Sequence, residues 1–397
     1  MWNILNGQVN KEEVEFNLEM ILSNISFSNF RNLLNLQVDL SAGLTIIAAD
    51  NGQGKSTFLE GAYLLSIGKS YKANTEKELV NWDAAQKELA VISGKLVQDD
   101  STIDIKVGID TRQSTLQKYA RVNSVPKRPS EIVGIMSAVL FSAEDIELIL
   151  GPPQFRRRYL DILIAQINNK YLRALQQYQK IVTQRNRILR NIRDGSSKFN
   201  ELELWDSQLS KEGALVISSR VKILEDLNRA VASMYDQLSP ESTHLDVCYL
   251  STVPYAVSDT LKDIEESFLS ALVDVHSKEM ATFQTAIGPH RDDIQLSQNG
   301  RDFGKFASRG QARIAALSMR LAEAKLLREM KGHDPILLLD DLLSELDFEK
   351  RQLVMDEINR YQQTILSTAE IDIVPQNSIR DLKILELKQG LIQTIIQ

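Results

Sequence analysis

The string Ala49-Asp50-Asn51-Gly52-Gln53-Gly54-Lys55-Ser56 constrains this chain more than any other feature. It follows the apolar run Leu44-Thr45-Ile46-Ile47-Ala48 and precedes Phe58, Leu59, Tyr63 and Leu64, whose spacing predicts a helix beginning near Lys55. A buried strand that passes through a glycine-containing loop into a helix is the context in which such a string wraps phosphates. Successive backbone N–H groups face the anion, and the helix N-terminus adds a favourable dipole. Lys55 can reach the β- and γ-phosphates of a nucleotide, and Ser56 offers a hydroxyl to Mg²⁺. With Thr57 in the first helical turn, residues 49–57 form the candidate nucleotide-binding set. The position usually held by the first glycine carries Ala49, which keeps the turn if its φ is negative.

A partner element stands about 285 residues downstream. Ile336-Leu337-Leu338-Leu339 predicts a central strand, and Asp340 at its end can hold the Mg²⁺ shell. Asp341 is placed to orient or deprotonate an attacking water, the candidate catalytic role. A buried strand followed by a solvated acidic turn is the plainer alternative.

Ala307-Ser308-Arg309-Gly310-Gln311 opens an expected helix over 311–330 and reads as a second anion-binding cap, with a simple capped helix as the plainer alternative. One nucleotide carries one triphosphate, already wrapped by the first loop. A second cap of this kind makes sense if it faces a nucleotide held by another subunit. With Ser344-Glu345-Leu346-Asp347 just after the acidic strand, the arrangement resembles the ATP-binding-cassette ATPases. That resemblance implies two heads sandwiching two ATP molecules, with Ser308, Arg309, Gly310, Gln311 and Asp347 contacting the opposite head.

Further strings narrow it. Asn29-Phe30-Arg31-Asn32-Leu33 looks like the start of the DNA-repair branch, in which Arg31 would approach the nucleotide. Phe58-Leu59-Glu60-Gly61-Ala62-Tyr63-Leu64-Leu65, Phe141-Ser142-Ala143-Glu144-Asp145, Arg156-Arg157-Arg158-Tyr159-Leu160-Asp161 and Gly288-Pro289-His290-Arg291-Asp292-Asp293 are similar to the RecF family. The likeness spans about residues 20–390. It departs at Ala49, at Ala143 where the family usually has proline, and in the extra N-terminal segment. The resemblance implies ATP and Mg²⁺ as cofactors, slow DNA-dependent ATP hydrolysis, and an ATP-dependent homodimer on junctions of single- and double-stranded DNA. It also implies action with RecO and RecR to load the recombinase in repair, replication and the SOS response.

The expected fold is α/β: a split ATPase head with an antiparallel β subdomain and a helical insertion lobe. Residues 1–19 are polar, lack periodicity and are expected to stay outside the fold. The head's N-terminal part is assigned to 20–150, the helical lobe to 151–285 and the head's C-terminal part to 286–397. Ile21–Phe27 with Leu36–Leu40 predicts a hairpin, and the runs 89–96, 102–109 and 119–122 an antiparallel sheet. Tyr171, Leu175, Tyr178, Val182, Arg185, Leu189 and Ile192 share one stripe of a helix, which argues for packing on a neighbouring helix of the same chain. Helical patterning is expected to continue to about 280, broken at Ser239-Pro240 and Pro254.

Net charge is −7, which argues against uniform coating of nucleic acid. Residues 151–200 nevertheless hold eleven Lys or Arg against two acids, a local +9 that leaves −16 on the rest. Such a patch can grip a phosphate backbone, and Arg156, Arg157, Arg158, Arg185 and Arg187 are its candidate DNA contacts. Salt bridges between lobes are the competing explanation for the arginine triplet. His290, Asp292 and Asp293 could suggest a metal cluster, but a structural role is favoured. One cysteine, Cys248, fits a reducing setting, and no apolar run reaches the ~20 residues that cross a bilayer, so the chain is read as cytoplasmic and without a membrane partner.

Three alternatives compete. A transporter subunit would need docking surfaces for membrane domains, which the basic insertion does not suit. A long coiled-coil organiser needs a far longer insertion and a Cys-x-x-Cys hook. A non-hydrolysing ATP-dependent scaffold stays open because of Ala49.

Overall fold

The computed structural model describes residues 19–82, 89–99, 101–112, 115–239, 244–374 and 381–396. The expected extension over 1–19 therefore lies, except for Glu19, outside the described residues. Two six-stranded sheets and one three-stranded sheet organise the rest.

The first sheet is antiparallel, in the spatial order 33–39, 20–30, 89–98, 101–110, 117–122, 125–127. The predicted hairpin and the three predicted runs thus belong to one sheet. Along Met20–Phe30 the buried positions switch from Met20 and Leu22 to Ile25 and Phe27, because the pairing register shifts between Leu22 and Asn24. A bulge of this kind changes which parity faces the core. The sheet packs on the helix Lys55–Ile67. Gly61 on that helix is required by contact, since a Cβ there would lie 2.3 Å from Cε1 of Phe27.

The second sheet draws on both ends of the chain, in the order 391–396, 382–388, 43–48, 363–368, 336–340, 138–142. Its strands are parallel except for the terminal pair. All five residues of Ile336–Asp340 are buried, as expected of a central strand covered on both faces. The register sets Asp340 beside Ser367, and Thr368 beside Ala48. The acidic strand and the phosphate loop therefore leave the sheet at the same carboxyl edge, where open α/β sheets bind ligands.

Long helices Pro153–Ile167, Asn169–Arg193 and Leu202–Leu238 form the inserted helical region. Asn168 caps the second of these, accepting from the N–H groups of Lys170 and Tyr171. The apolar stripe packs inside the chain: Tyr171, Leu175, Tyr178 and Leu189 are buried, and Gly213 of the third helix comes against Tyr178. Between the breaks expected at Ser239-Pro240 and Pro254 the helical pattern gives way to a strand that the sequence reading did not foresee. Leu245–Leu250 is a strand, paired antiparallel with Asp293–Gln298, and its alternating Leu245 and Val247 enter the core. Period-two burial over six residues is too short a signal to stand out between two helices. The fold is α/β throughout, a head built from both chain ends with an antiparallel sub-sheet and a helical insertion.

Candidate nucleotide site

Gly54, with φ +113°, ends the loop and caps the helix Lys55–Ile67, and Gly52 has φ +81°. Both conformations favour glycine over residues with a Cβ. Ala49 has no positive φ, so alanine fits there without backbone strain. Asn32 pins the loop by donating from Nδ2 to the Gly52 carbonyl at 3.2 Å, and Gln53 accepts from the Gln389 N–H at 2.7 Å. Asn51, Gly52, Gly54, Lys55, Ser56 and Thr57 line a cleft of about 540 Å³. Ala49, Asp50 and Gln53 belong to the loop without lining it.

Asp340 and Asp341 form part of the same cleft wall. The Ser56 hydroxyl donates to Asp340 Oδ1 at 2.7 Å, and Ser367 donates to the same oxygen at 2.9 Å. On Oδ2 the carboxylate accepts from the Tyr71 hydroxyl at 3.1 Å and pairs with the Lys72 ammonium at 3.0 Å. Burial beside this carboxylate pushes the Tyr71 phenol well up. The Lys55 ammonium donates to the Ala49 carbonyl and, at 3.4 Å, to Asn51 Oδ1. Asp341 has φ +52°, an uncommon conformation for a residue with a Cβ, and burial raises its carboxyl against the pull of Lys55.

Arg31 also lines the cleft, but its guanidinium is held by the buried Glu60 carboxylate, which in turn accepts from Ser70. That arrangement explains the value of Glu60 in the helix string. Tyr71, Lys72, Glu60 and Ser367 were not singled out by sequence reasoning. Tyr71 and Lys72 lie 269 and 268 residues from Asp340 along the chain, and neither they nor Ser367 sit in a motif that names them, while Glu60 falls within a quoted string that does not reveal its pairing with Arg31.

Ser308, Arg309, Gly310 and Gln311 sit elsewhere. Ser308 caps the helix Arg309–Lys331: its Oγ accepts from the Gln311 N–H at 3.2 Å, while Gln311 Oε1 accepts from the Ser308 N–H at 2.9 Å. This reciprocal box uses one lone pair of Ser308 and leaves its hydroxyl proton and the Arg309 and Gly310 N–H groups without an intrahelical acceptor. All four residues are exposed, and none of them lines the cleft of their own chain. Asp347 caps the following helix, accepting from the Lys350 N–H and pairing with the Lys350 ammonium. Arg313 pairs with Glu345, tying the two exposed turns together.

The arginines of the basic segment separate by environment. Arg185 is fully buried, bonded to Asp206, Glu279 and Thr285, so it has no surface from which to touch DNA. The DNA-contact expectation for Arg185 is corrected on that ground. Arg156 pairs with Asp293 through both Nε and Nη2, Arg157 donates to the Asp292 carbonyl, and Arg158 donates to the Ser70 carbonyl. The triplet thus links the helical region to the head. Arg187 is exposed on its helix. A second cleft, about 790 Å³, lies away from the phosphate loop, with Lys69, Ser70, Arg157 and Arg158 in its walls.

His290, Asp292 and Asp293 do not converge on one point. His290 bonds the Tyr178 hydroxyl and the Thr285 carbonyl, and burial lowers its pKa to about 4. Asp292 accepts from Tyr249, Thr252 and the Thr252 N–H. Among the described residues no helix is long and apolar enough to cross a membrane.

The chain matches the family model described as RecF/RecN/SMC N terminal domain over residues 21–389. It is 34% identical over 355 residues to a DNA replication and repair protein RecF of Clostridium novyi, covering 89% of this chain and 94% of that protein. It is 38% identical over 370 residues to a protein of the same description from Roseiflexus castenholzii, covering 88% and 93%. Among solved structures, a recombination mediator protein RecF bound to ATP superposes with a TM-score of 0.86 at 30% identity, over 94% of this chain and 97% of that one. An Smc head domain from Pyrococcus furiosus shares the fold, with a TM-score of 0.53 at 15% identity over 95% and 96% of the two chains.

Proposed function

Because the chain belongs to the RecF family of ATP-binding-cassette ATPases, we propose that it is an ATP-gated DNA-binding protein of replication and recombinational repair. In this reading two heads close around ATP, grip gapped DNA, and release it after slow, DNA-stimulated hydrolysis. RecO and RecR are the partners that the family relationship suggests.

The observation that carries the reading is a separation. One chain holds a phosphate loop with Ser56 on Asp340, while the exposed Ser308–Gln311 cap lies outside that cleft. A cap that cannot serve its own nucleotide is suited to serve another's.

Residues 49–57 would cradle the triphosphate, with Lys55 turning from the Ala49 carbonyl to the phosphates. The Ser56 hydroxyl and the Asp340 carboxylate, already 2.7 Å apart, supply the hard oxygen donors that Mg²⁺ takes. Bound there, Mg²⁺ would offset the charge of the β- and γ-phosphates. Asp341, its carboxyl raised by burial, would orient the attacking water and accept its proton. Ser308, Gly310 and Asp347 would meet the γ-phosphate side of the partner's nucleotide, with Arg309 and Gln311 framing the cap. With the Arg156 guanidinium taken up by Asp293, Arg157, Arg158 and Arg187 remain the candidate DNA contacts.

The experiment is a mass measurement on the full chain with and without Mg-ATP and gapped DNA, paired with a turnover assay. A dimer that forms with ATP and turns over faster on DNA supports the reading. A monomer under all conditions, or turnover indifferent to DNA, contradicts it.

A further inference from the structure

Trp82 is 84% exposed and Leu34 is 56% exposed, and both lie in the wall of the nucleotide cleft. An indole left open to water forgoes a large apolar burial, so one beside a ligand cleft calls for an explanation.

The position of Trp82 is held by the backbone just before it. Val80 forms an antiparallel bridge with Phe30. The Arg31 N–H donates to the Leu79 carbonyl at 3.0 Å, and the Asn81 N–H donates to the Asn29 carbonyl at 2.8 Å. The Asn81 amide also donates to the Arg31 carbonyl. Leu79 and Val80 are buried. This short pairing attaches the segment to the turn that carries Arg31 and Asn32, and Trp82 follows at its end.

The cleft therefore has two chemically different walls. One is the phosphate loop with Lys55, Ser56, Asp340 and Asp341, built for charge. The other holds Arg31, Asn32, Leu34 and Trp82, and it offers an indole, an isobutyl group and a guanidinium fixed by Glu60. A triphosphate seated on the first wall leaves the base as the part of a nucleotide that such a second wall suits.

We propose that Trp82, backed by Leu34, is the base platform of this site, recognising the planar heteroaromatic ring of the nucleotide by stacking. The inference rests on the assignment of the cleft to ATP and adds the ring-binding half. Stacking on an aromatic tolerates any base, because every base has a π-face. Purine triphosphates as a class should feel Trp82, and inorganic tripolyphosphate should not.

The test compares the full-length parent with Trp82→Ala and Trp82→Phe for binding of ATP, GTP and tripolyphosphate. Trp82→Ala should weaken both nucleotides by roughly tenfold to a hundredfold and leave tripolyphosphate binding as in the parent, which also shows that the variant is folded. Trp82→Phe should keep most of the affinity. ATP should quench the tryptophan fluorescence of the parent, and that quench should vanish in Trp82→Phe although Trp2 and Trp205 remain. Equal ATP-to-tripolyphosphate ratios in parent and Trp82→Ala would overturn the proposal, as would an unchanged quench in Trp82→Phe. A parent that binds neither ligand would instead defeat the assignment of the cleft to ATP.

Discussion

Ser56 donates a 2.7 Å hydrogen bond to Asp340 across 284 residues of sequence. The contact joins the first turn after the phosphate loop to the end of the central strand, so the metal-binding pair is assembled by the sheet. Parallel pairing of 363–368 with both 43–48 and 336–340 places the two ends on one edge.

Lys55 and Asp341 share this cleft but should fail differently. Lys55→Ala removes the cation that meets the triphosphate, and a charge-assisted contact of that kind contributes about 1.5–3 kcal/mol. Nucleotide affinity should fall by one to two orders of magnitude. Asp341→Asn keeps the shape of the site and should leave affinity near the parent's while slowing hydrolysis on the order of a hundredfold or more. Equilibrium binding and single-turnover hydrolysis separate the two, and matching behaviour in both variants would undo the site assignment.

The Lys72 ammonium sits 3.0 Å from the Asp340 oxygen that also accepts from Tyr71. A divalent cation and an ammonium on one carboxylate compete. Lys72→Met should lower the Mg²⁺ concentration needed for half-maximal nucleotide binding several-fold, and Lys72→Arg should behave as the parent. Titrating Mg²⁺ at fixed nucleotide reads this directly. An unchanged or higher Mg²⁺ requirement in Lys72→Met would show that Lys72 assists the metal or is neutral towards it.

Arg320 pairs with both Asp145 and Glu323 inside the head, two acids on one base. Burial raises the Glu323 carboxyl from 4.5 to about 7, against the pull of Arg320. Between those values the folded chain holds more protons than the unfolded one, so stability falls as pH rises through the window, and the loss is complete above it. Glu323→Gln removes the titration. Its melting temperature should gain on the parent's between about pH 5 and about pH 8, by the equivalent of a few kcal/mol at roughly 1.4 kcal/mol per pKa unit. Parallel pH profiles would mean that the triad stays charged without cost.

The phosphate loop, the acidic strand and the capped helix were legible because each is written in contiguous residues with a fixed local geometry. The string Phe141–Asp145 was visible but its purpose was not, since Asp145 meets Arg320 175 residues away. Arg185 was misread for the same reason. A charge in a helical stripe does not announce its partners, and Asp206 and Glu279 stand 21 and 94 residues downstream. Trp82 was passed over because no periodicity marks a single exposed aromatic, and only the pairing of Leu79–Asn81 with the Asn29–Arg31 turn gives it a place. The strand Leu245–Leu250 needed its partner Asp293–Gln298 to be recognised.

Ser308 provides the sharpest test of action between chains. Each chain has one triphosphate loop and one separate exposed cap, and a net charge of −7 on identical copies opposes their association. The protein without nucleotide should therefore be largely monomeric. ATP can shift that balance only by binding the dimer better than the monomer, and a γ-phosphate facing the partner's cap supplies the difference. Ser308→Arg should leave nucleotide binding by the monomer nearly intact and abolish ATP-dependent dimerisation. Arginine also removes the cap, worth about 1 kcal/mol, so Ser308→Asp is the companion variant. Aspartate preserves the acceptor for the Gln311 N–H but sets a negative charge against the phosphate, and it should block the dimer as well. Sedimentation with Mg-ATP distinguishes these outcomes. If Ser308→Asp dimerises as the parent does, Ser308 does not act across the interface.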